Sequence, residues 1–230
     1  LLGVAPSRHG ETLDDAVDVE RLLLRTARAV PGHARLFGLA ITWLVEYSGF
    51  VAKHRLRRLV IEELEPVHQP ALGLLLEEAI RLGAQPDLRL AAEVCRPAHS
   101  PGPLFDAARD HLTLRTLAEQ SATAESKRWG VWTPAPELKK DAIRPVSWLL
   151  EHNPGLKDRI VRRGDLRCSI LETLRHDTAG VASSESELAR LNAATRVAVR
   201  KSLHALVLEG EVRYLQREGR GRGVALRTPA

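Results

Sequence analysis

Cysteine is scarce in this chain of 230 residues: Cys95 and Cys168 stand far apart, with no second cysteine near either. That excludes a disulfide scaffold and a CxxC zinc or redox motif, and it suggests a reducing, cytosolic setting. Both thiols are expected to be small buried hydrophobes. Long apolar runs are missing too. The best candidate, Leu36 to Val45 (LFGLAITWLV), is halted by Glu46, well short of the ~20 residues that cross a bilayer. It reads as a core helix, and no membrane association is expected. The N-terminus lacks a charged stretch followed by an apolar one, so no signal peptide is expected.

Chemistry-bearing motifs are also absent. The nine histidines form no HxxxH, HExxH or Cys/His cluster, so metal chemistry has no support. There is no GxGxxG after a strand, no GxxxxGK[ST] and no GxSxG. The expectation is a protein that is not an enzyme and carries no cofactor or metal.

What remains is ordinary globular material, with 44% hydrophobic and 27% charged residues. One large or two small domains fit this length. Residues 1–11 read as a loose arm, and Thr12 with Asp15 as a weak capping box opening a helix to about Val30. A helix from about His33 to Tyr47 is apolar on most sides and should be central. Phe50 to Leu64 is amphipathic, with the KHRLRR run at 53–58 expected to be a solvated face. Another helix runs to Leu82, and Pro86 opens a short one to about Cys95. Residues 1–95 therefore read as an all-helical bundle for dimerisation or sensing. Residues 96–160 read as a helix (Leu104 to Glu119), an irregular stretch over 121–146 rich in tryptophan and proline, and short helical pieces: a connector in which Trp129 and Trp132 argue for packing.

The formal net charge is +5, and its location matters more than its size. Residues 162–230 carry 13 basic and eight acidic side chains, so the whole excess lies there. Such asymmetry points to nucleic acid or another anionic surface.

The same stretch carries an ordered series of local signals. Leu166 to Arg175 has a helical apolar face. Ser184 with Glu187 forms a capping box for a short second helix. Asn192-Ala193-Ala194 is a tight turn, and Thr195 caps a third helix that Gly210 closes at about Glu209. Two strand-like segments follow, Val212 to Gln216 and Val224 to Arg227, separated by the glycine- and arginine-rich REGRGRG. Three helices and a β-hairpin define a winged helix-turn-helix over 161–230. The expected fold class is mainly α: a helical bundle followed by a C-terminal winged helix.

Glu187-Leu188-Ala189, Thr195-Arg196 and Val199-Arg200 resemble the helix-turn-helix core of GntR-type winged-helix regulators, with the family's spacing and no gap. Leu206 to Gly210 is similar to the end of its recognition helix, and Gly221-Arg222-Gly223 to its wing. Asn192 stands where the family has leucine, Ala193 where it has glycine, and Ser186 where it often has a DNA-contacting arginine. In that family the module normally comes first in the chain; here it covers only the C-terminal third.

In this motif the third helix enters the major groove. Arg196 and Arg200, at i and i+4, share a side on which each could meet a guanine edge, and Val197 could meet a thymine methyl. Lys201 lies at the same end, and His204 reads as a solvated or phosphate-side residue. Arg220 and Arg222 suit a narrow minor groove. Arg213, Arg217 and the helix N-termini at Ser184, Ser186 and Thr195 suit phosphates. The expected activity is that of a cytoplasmic transcriptional regulator, a homodimer on double-stranded DNA, with the neutral leucine-rich body as dimer surface. The alternative is a scaffold or antitoxin-like protein whose wing or body docks a protein partner.

Overall fold

The structure is a computed structural model, which describes residues 17–216 and 222–227. The Thr12 capping box lies outside them. The first described helix, α1 (Val19–Ala29), is capped by Asp18, whose carboxylate accepts from the Arg21 N–H at 3.1 Å. Its buried stripe, Val19, Leu23, Leu24 and Ala27, follows helical spacing. After the Pro31-Gly32 break come α2 (Ala34–Tyr47), α3 (Lys53–Glu63) and α4 (Gln69–Arg81). The most enclosed helix is α4 rather than α2: Leu72, Leu74, Leu75, Leu76 and Ala79 have no exposed surface. Helices pack on it from several sides, whereas one flank of α2 stays partly open.

Then come α5 (Arg89–Ala92), β1 (Gly102–Pro103), α6 (Asp106–Arg109), α7 (Leu112–Ser121), α8 (Ala124–Trp129) and β2 (Val131–Trp132), which pairs in parallel with β1. The one helix expected over 104–119 is thus two. Phe105 packs edge-on against Phe37, which holds α6 to the body, while Leu112, Leu114 and Leu117 of α7 face outward. The stretch 121–146 is not wholly irregular. Thr123 caps α8, Gly130 closes it at φ +68°, and Trp129 lies flat over Gly73 of α4. A Cβ at Gly73 would sit 2.3 Å from the indole, so only glycine admits that contact. Helices α9 (Val146–His152) and α10 (Lys157–Arg162) complete this part. One hydrophobic core runs from Val19 to Leu156 and takes in Leu104, Trp129, Val131 and Leu149.

A second, separate core belongs to residues 166–227. Its elements are α11 (Leu166–Asp177), β3 (Val181–Ala182), α12 (Glu185–Leu191), α13 (Arg196–Leu208), β4 (Val212–Gln216) and β5 (Arg222–Leu226). The three strands form an antiparallel sheet in the order β3-β5-β4, with Tyr214 opposite Val224 and Gln216 opposite Arg222. Ile170, Leu174, Leu188, Val199, Leu203, Leu206 and Val224 fill the space between helices and sheet.

The two cores meet across charge. The KHRLRR run is not a solvated face: Lys53, Arg55 and Arg58 are all buried, Arg55 with 0% exposure. Arg55 grips Asp177 with two N–H groups (2.8 and 2.9 Å) and also reaches Asp18 at 2.7 Å and Glu20 at 2.8 Å. Arg159 of α10, equally buried, joins Glu20 at 2.6 Å to Glu172 of α11 and donates to the Phe50 carbonyl. The local sequence carried no sign of this, because every carboxylate involved is distant in the chain. Gly164 makes the turn into α11 at φ +67°, and a Cβ there would lie 2.1 Å from the Val51 carbonyl oxygen.

This junction predicts acid sensitivity. Burial alone would raise the Glu172 carboxyl, but Arg159, the His176 imidazole 3.3 Å away and Arg175 outweigh it and hold the group at about 2, against 4.5 when free. Burial likewise opposes Asp177, yet Arg55, Arg58 and Arg21 keep it below the ordinary range. A depressed folded-state value contributes stability that is present above the unfolded value and lost as pH falls through the folded one. Urea midpoints should therefore fall between about pH 5 and about pH 2, with Glu172 alone worth on the order of 3 kcal/mol. Glu172→Gln should flatten the profile, and a midpoint constant across that range would contradict the assignment.

Candidate nucleic-acid interface

The surface of interest is assembled by three caps. Ser184 Oγ accepts from the Glu187 N–H at 3.1 Å and starts α12. The Glu187 carboxylate answers by accepting the Ser183 N–H. Thr195 Oγ1 accepts from the Ala198 N–H at 3.2 Å and starts α13, and Gly210 at φ +79° follows its end. Between α12 and α13 the chain turns through Asn192, Ala193 and Ala194. Asn192 is fully buried in the place where the resembled family has leucine, but both ends of its amide are satisfied: Oδ1 accepts from the Thr173 hydroxyl and Nδ2 donates to the Leu188 carbonyl. Ala193 adopts φ +45°, the left-handed conformation that the family's glycine would take without strain.

With Val199, Leu203 and Leu206 turned into the core, α13 shows its opposite side to solvent. Arg196, Val197, Arg200, Lys201 and His204 make one continuous exposed stripe there, and Val197 is 78% exposed. Thr195 is exposed at the head of the stripe, and Ser186 is exposed nearby on α12, while Ser184 is spent on its cap. Arg222 stands at the start of β5 with its guanidinium 5.9 Å from the Tyr214 ring. The Tyr214 hydroxyl donates to Glu185 at 3.4 Å, and Glu185 accepts from Arg200 Nε at 3.1 Å. Arg222, Tyr214, Glu185 and Arg200 thus link the sheet to α13 in one surface. Burial and the Glu185 charge raise the Tyr214 phenol above its ordinary value, so it stays protonated and able to donate.

Arg213 is exposed next to Tyr214 in β4, so its side chain projects from the opposite face of the strand and does not join this surface. Arg217 and Arg220 lie outside the described residues. Glu185 and Tyr214 are members of the surface that sequence reasoning missed. A carboxylate in the first turn of a helix already has a sufficient explanation in the helix dipole, so nothing in the local pattern singles out Glu185.

Three other basic residues of this region are committed elsewhere. Arg162 and Arg167 hold Glu209 and Glu211 at the far end of α13, and Arg175 bridges Asp158 and Glu172. Among the described residues, Arg196, Lys201 and Arg222 have no carboxylate partner. Both cysteines are buried, and burial pushes each thiol up to about 12, which removes them as nucleophiles. Among the described residues no cluster of His, Cys, Asp and Glu could hold a metal ion, and no helix is long and apolar enough to cross a membrane. No family model matches the chain, and neither a curated protein nor a solved structure does.

The strained turn gives a stability prediction. Ala193→Gly removes the left-handed Cβ penalty at some entropic cost, for a net gain of about 1 kcal/mol. The gain should appear as a higher thermal midpoint. An unchanged or lower midpoint would mean that the turn is not strained.

Proposed function

We propose that residues 166–227 form a winged helix-turn-helix of GntR type that binds double-stranded DNA, and that the chain is a cytoplasmic transcriptional regulator. The element order α11, β3, α12, α13, β4, β5 and the strand order β3-β5-β4 support the winged-helix reading. The observation that carries the DNA reading is the exposed cationic stripe of α13, in which Arg196 and Lys201 have no carboxylate partner among the described residues and Arg200 connects through Glu185 and Tyr214 to Arg222. In this reading α13 lies in the major groove, Arg196 and Arg200 meet base edges, Val197 meets a thymine methyl, and Lys201 and Arg222 serve phosphates or the minor groove. Arg200 exchanges Glu185 for DNA, or Glu185 holds its guanidinium in the orientation that reads a base. One such module makes few base contacts, so the protein acts as a homodimer on a two-fold site.

A second reading, a winged-helix scaffold that docks a protein, draws on the apolar residues in and beside the stripe, Val197 and Leu208, the latter 76% exposed. In vitro site selection with the full chain separates the two. Enrichment of a two-fold sequence supports the DNA reading, and no enrichment supports docking. On the selected duplex, Arg196→Ala should cost about 1–3 kcal/mol and relax preference at one base pair, while Arg222→Ala should weaken binding evenly. Affinity unchanged in both variants would remove α13 and β5 from the interface.

A further inference from the structure

We propose that the cavity between α1 and α2 binds a small apolar carboxylate, with its hydrocarbon part against Leu22, Leu23, Leu39 and Ile143 and its carboxylate on Arg35. The cavity holds about 230 Å³ and lies where the Ala142-Ile143 turn crosses the two helices. That is more room than the ~150 Å³ that accepts benzene and less than the ~300 Å³ at which drug-sized sites begin, so the occupant is one ring or a short chain plus a polar head. Among the described residues the wall is apolar except in three places. Thr26 already donates its hydroxyl proton to the Leu22 carbonyl. Trp43 keeps its indole N–H buried with no acceptor among the described residues. Arg35 is exposed and has no carboxylate or hydrogen-bond partner among them.

The charge on the lining decides the chemistry of the occupant. Among the described residues, Arg35 is the only ionisable one lining the cavity, and none that shares the wall is acidic. The guanidinium of a residue that lines an apolar hollow matches a carboxylate in charge and in its paired donors. A cationic occupant would meet Arg35 unfavourably, and a neutral one would leave it unused. The same helix α1 that lines the cavity through Val19, Leu22 and Leu23 also presents Asp18, Glu20 and Arg21 to α3, α10 and α11. Occupancy therefore bears on the element that anchors the C-terminal unit. That the ligand acts as an effector of DNA binding rests on the function proposed above, and it is measured separately.

Isothermal calorimetry of the full chain in the absence of DNA tests the site, with 3-phenylpropionate as probe and 3-phenylpropan-1-ol as its neutral counterpart. The acid should bind at one site per chain, about tenfold tighter than the alcohol. Arg35→Gln, a change at an exposed position, should keep the thermal midpoint and abolish the preference. Ala40→Phe, which fills the cavity, should abolish binding of both probes. Equal affinity for acid and alcohol, a preference that survives Arg35→Gln, or no saturable binding up to millimolar probe would each overturn the proposal. A failure of site selection with DNA leaves these results unaffected, so the two readings fail independently.

Discussion

A guanidinium with no exposed surface must be met by acceptors on every side, and Arg55 imposes that demand on this molecule. Desolvating one such ion costs several kcal/mol, which is recovered only if the geometry is good and every N–H is used. Asp18, Glu20 and Asp177 provide it, from two different helices and the cap before one of them. Asp177 ends α11, where the helix dipole disfavours a carboxylate, so it depends on Arg55 and Arg58 as much as they depend on it. Arg159 repeats the pattern between Glu20 and Glu172. Two hydrophobic cores that share few apolar contacts are thereby held in one relative placement. Apolar surfaces slide at little cost, whereas a bidentate ion pair fixes distance and angle together. Truncating one partner would leave a buried charge unmet, which makes the junction the most sensitive region of the fold.

The junction also determines which charges remain on the surface. Along the chain the basic residues are uniform in kind, but in space some are tied to carboxylates and others, including those at the head of α13, are not. Arg162, Arg167 and Arg175 are tied to Asp158, Glu172, Glu209 and Glu211 near the body. Arg196, Lys201 and Arg222 point away from it with no carboxylate partner among the described residues. The internal pairs thus draw negative charge toward the body and leave a positive face around the head of α13. Glu185 is the exception. It lies within that face, bound to Arg200 and Tyr214, where it subtracts charge while fixing the position of one arginine.

The legible parts of the sequence are those whose cause is local. Ser184, Thr195 and Gly210 announce the ends of α12 and α13 because a cap acts on the next turn of its own helix. The stripe of Val199, Leu203 and Leu206 and the exposed side opposite it follow from helical period alone. The role of Lys53, Arg55 and Arg58 was not legible. A charged run on an amphipathic helix has the same pattern whether it meets water or distant carboxylates, and Asp177 lies 122 positions from Arg55. The break between α6 and α7 and the formation of α8 were hidden for the same reason. Phe105 on Phe37 and Trp129 on Gly73 are tertiary contacts that override local preference. Within the candidate interface, the exposed face of α13 followed from period, while Glu185, Tyr214 and the outward turn of Arg213 depended on how the sheet sits against α12.

The most direct measurement for the central claim is the salt dependence of affinity of the full chain for a duplex obtained by site selection. Each phosphate neutralised by a cation releases counterions, giving a slope of about −0.9 in log K against log salt. With Arg196 and Arg200 on base edges and Lys201 and Arg222 on phosphates, the slope should be about −2 per protomer. A slope near zero would mean that the cationic face of α13 and β5 does not meet the DNA backbone, and the account of this surface would be contradicted.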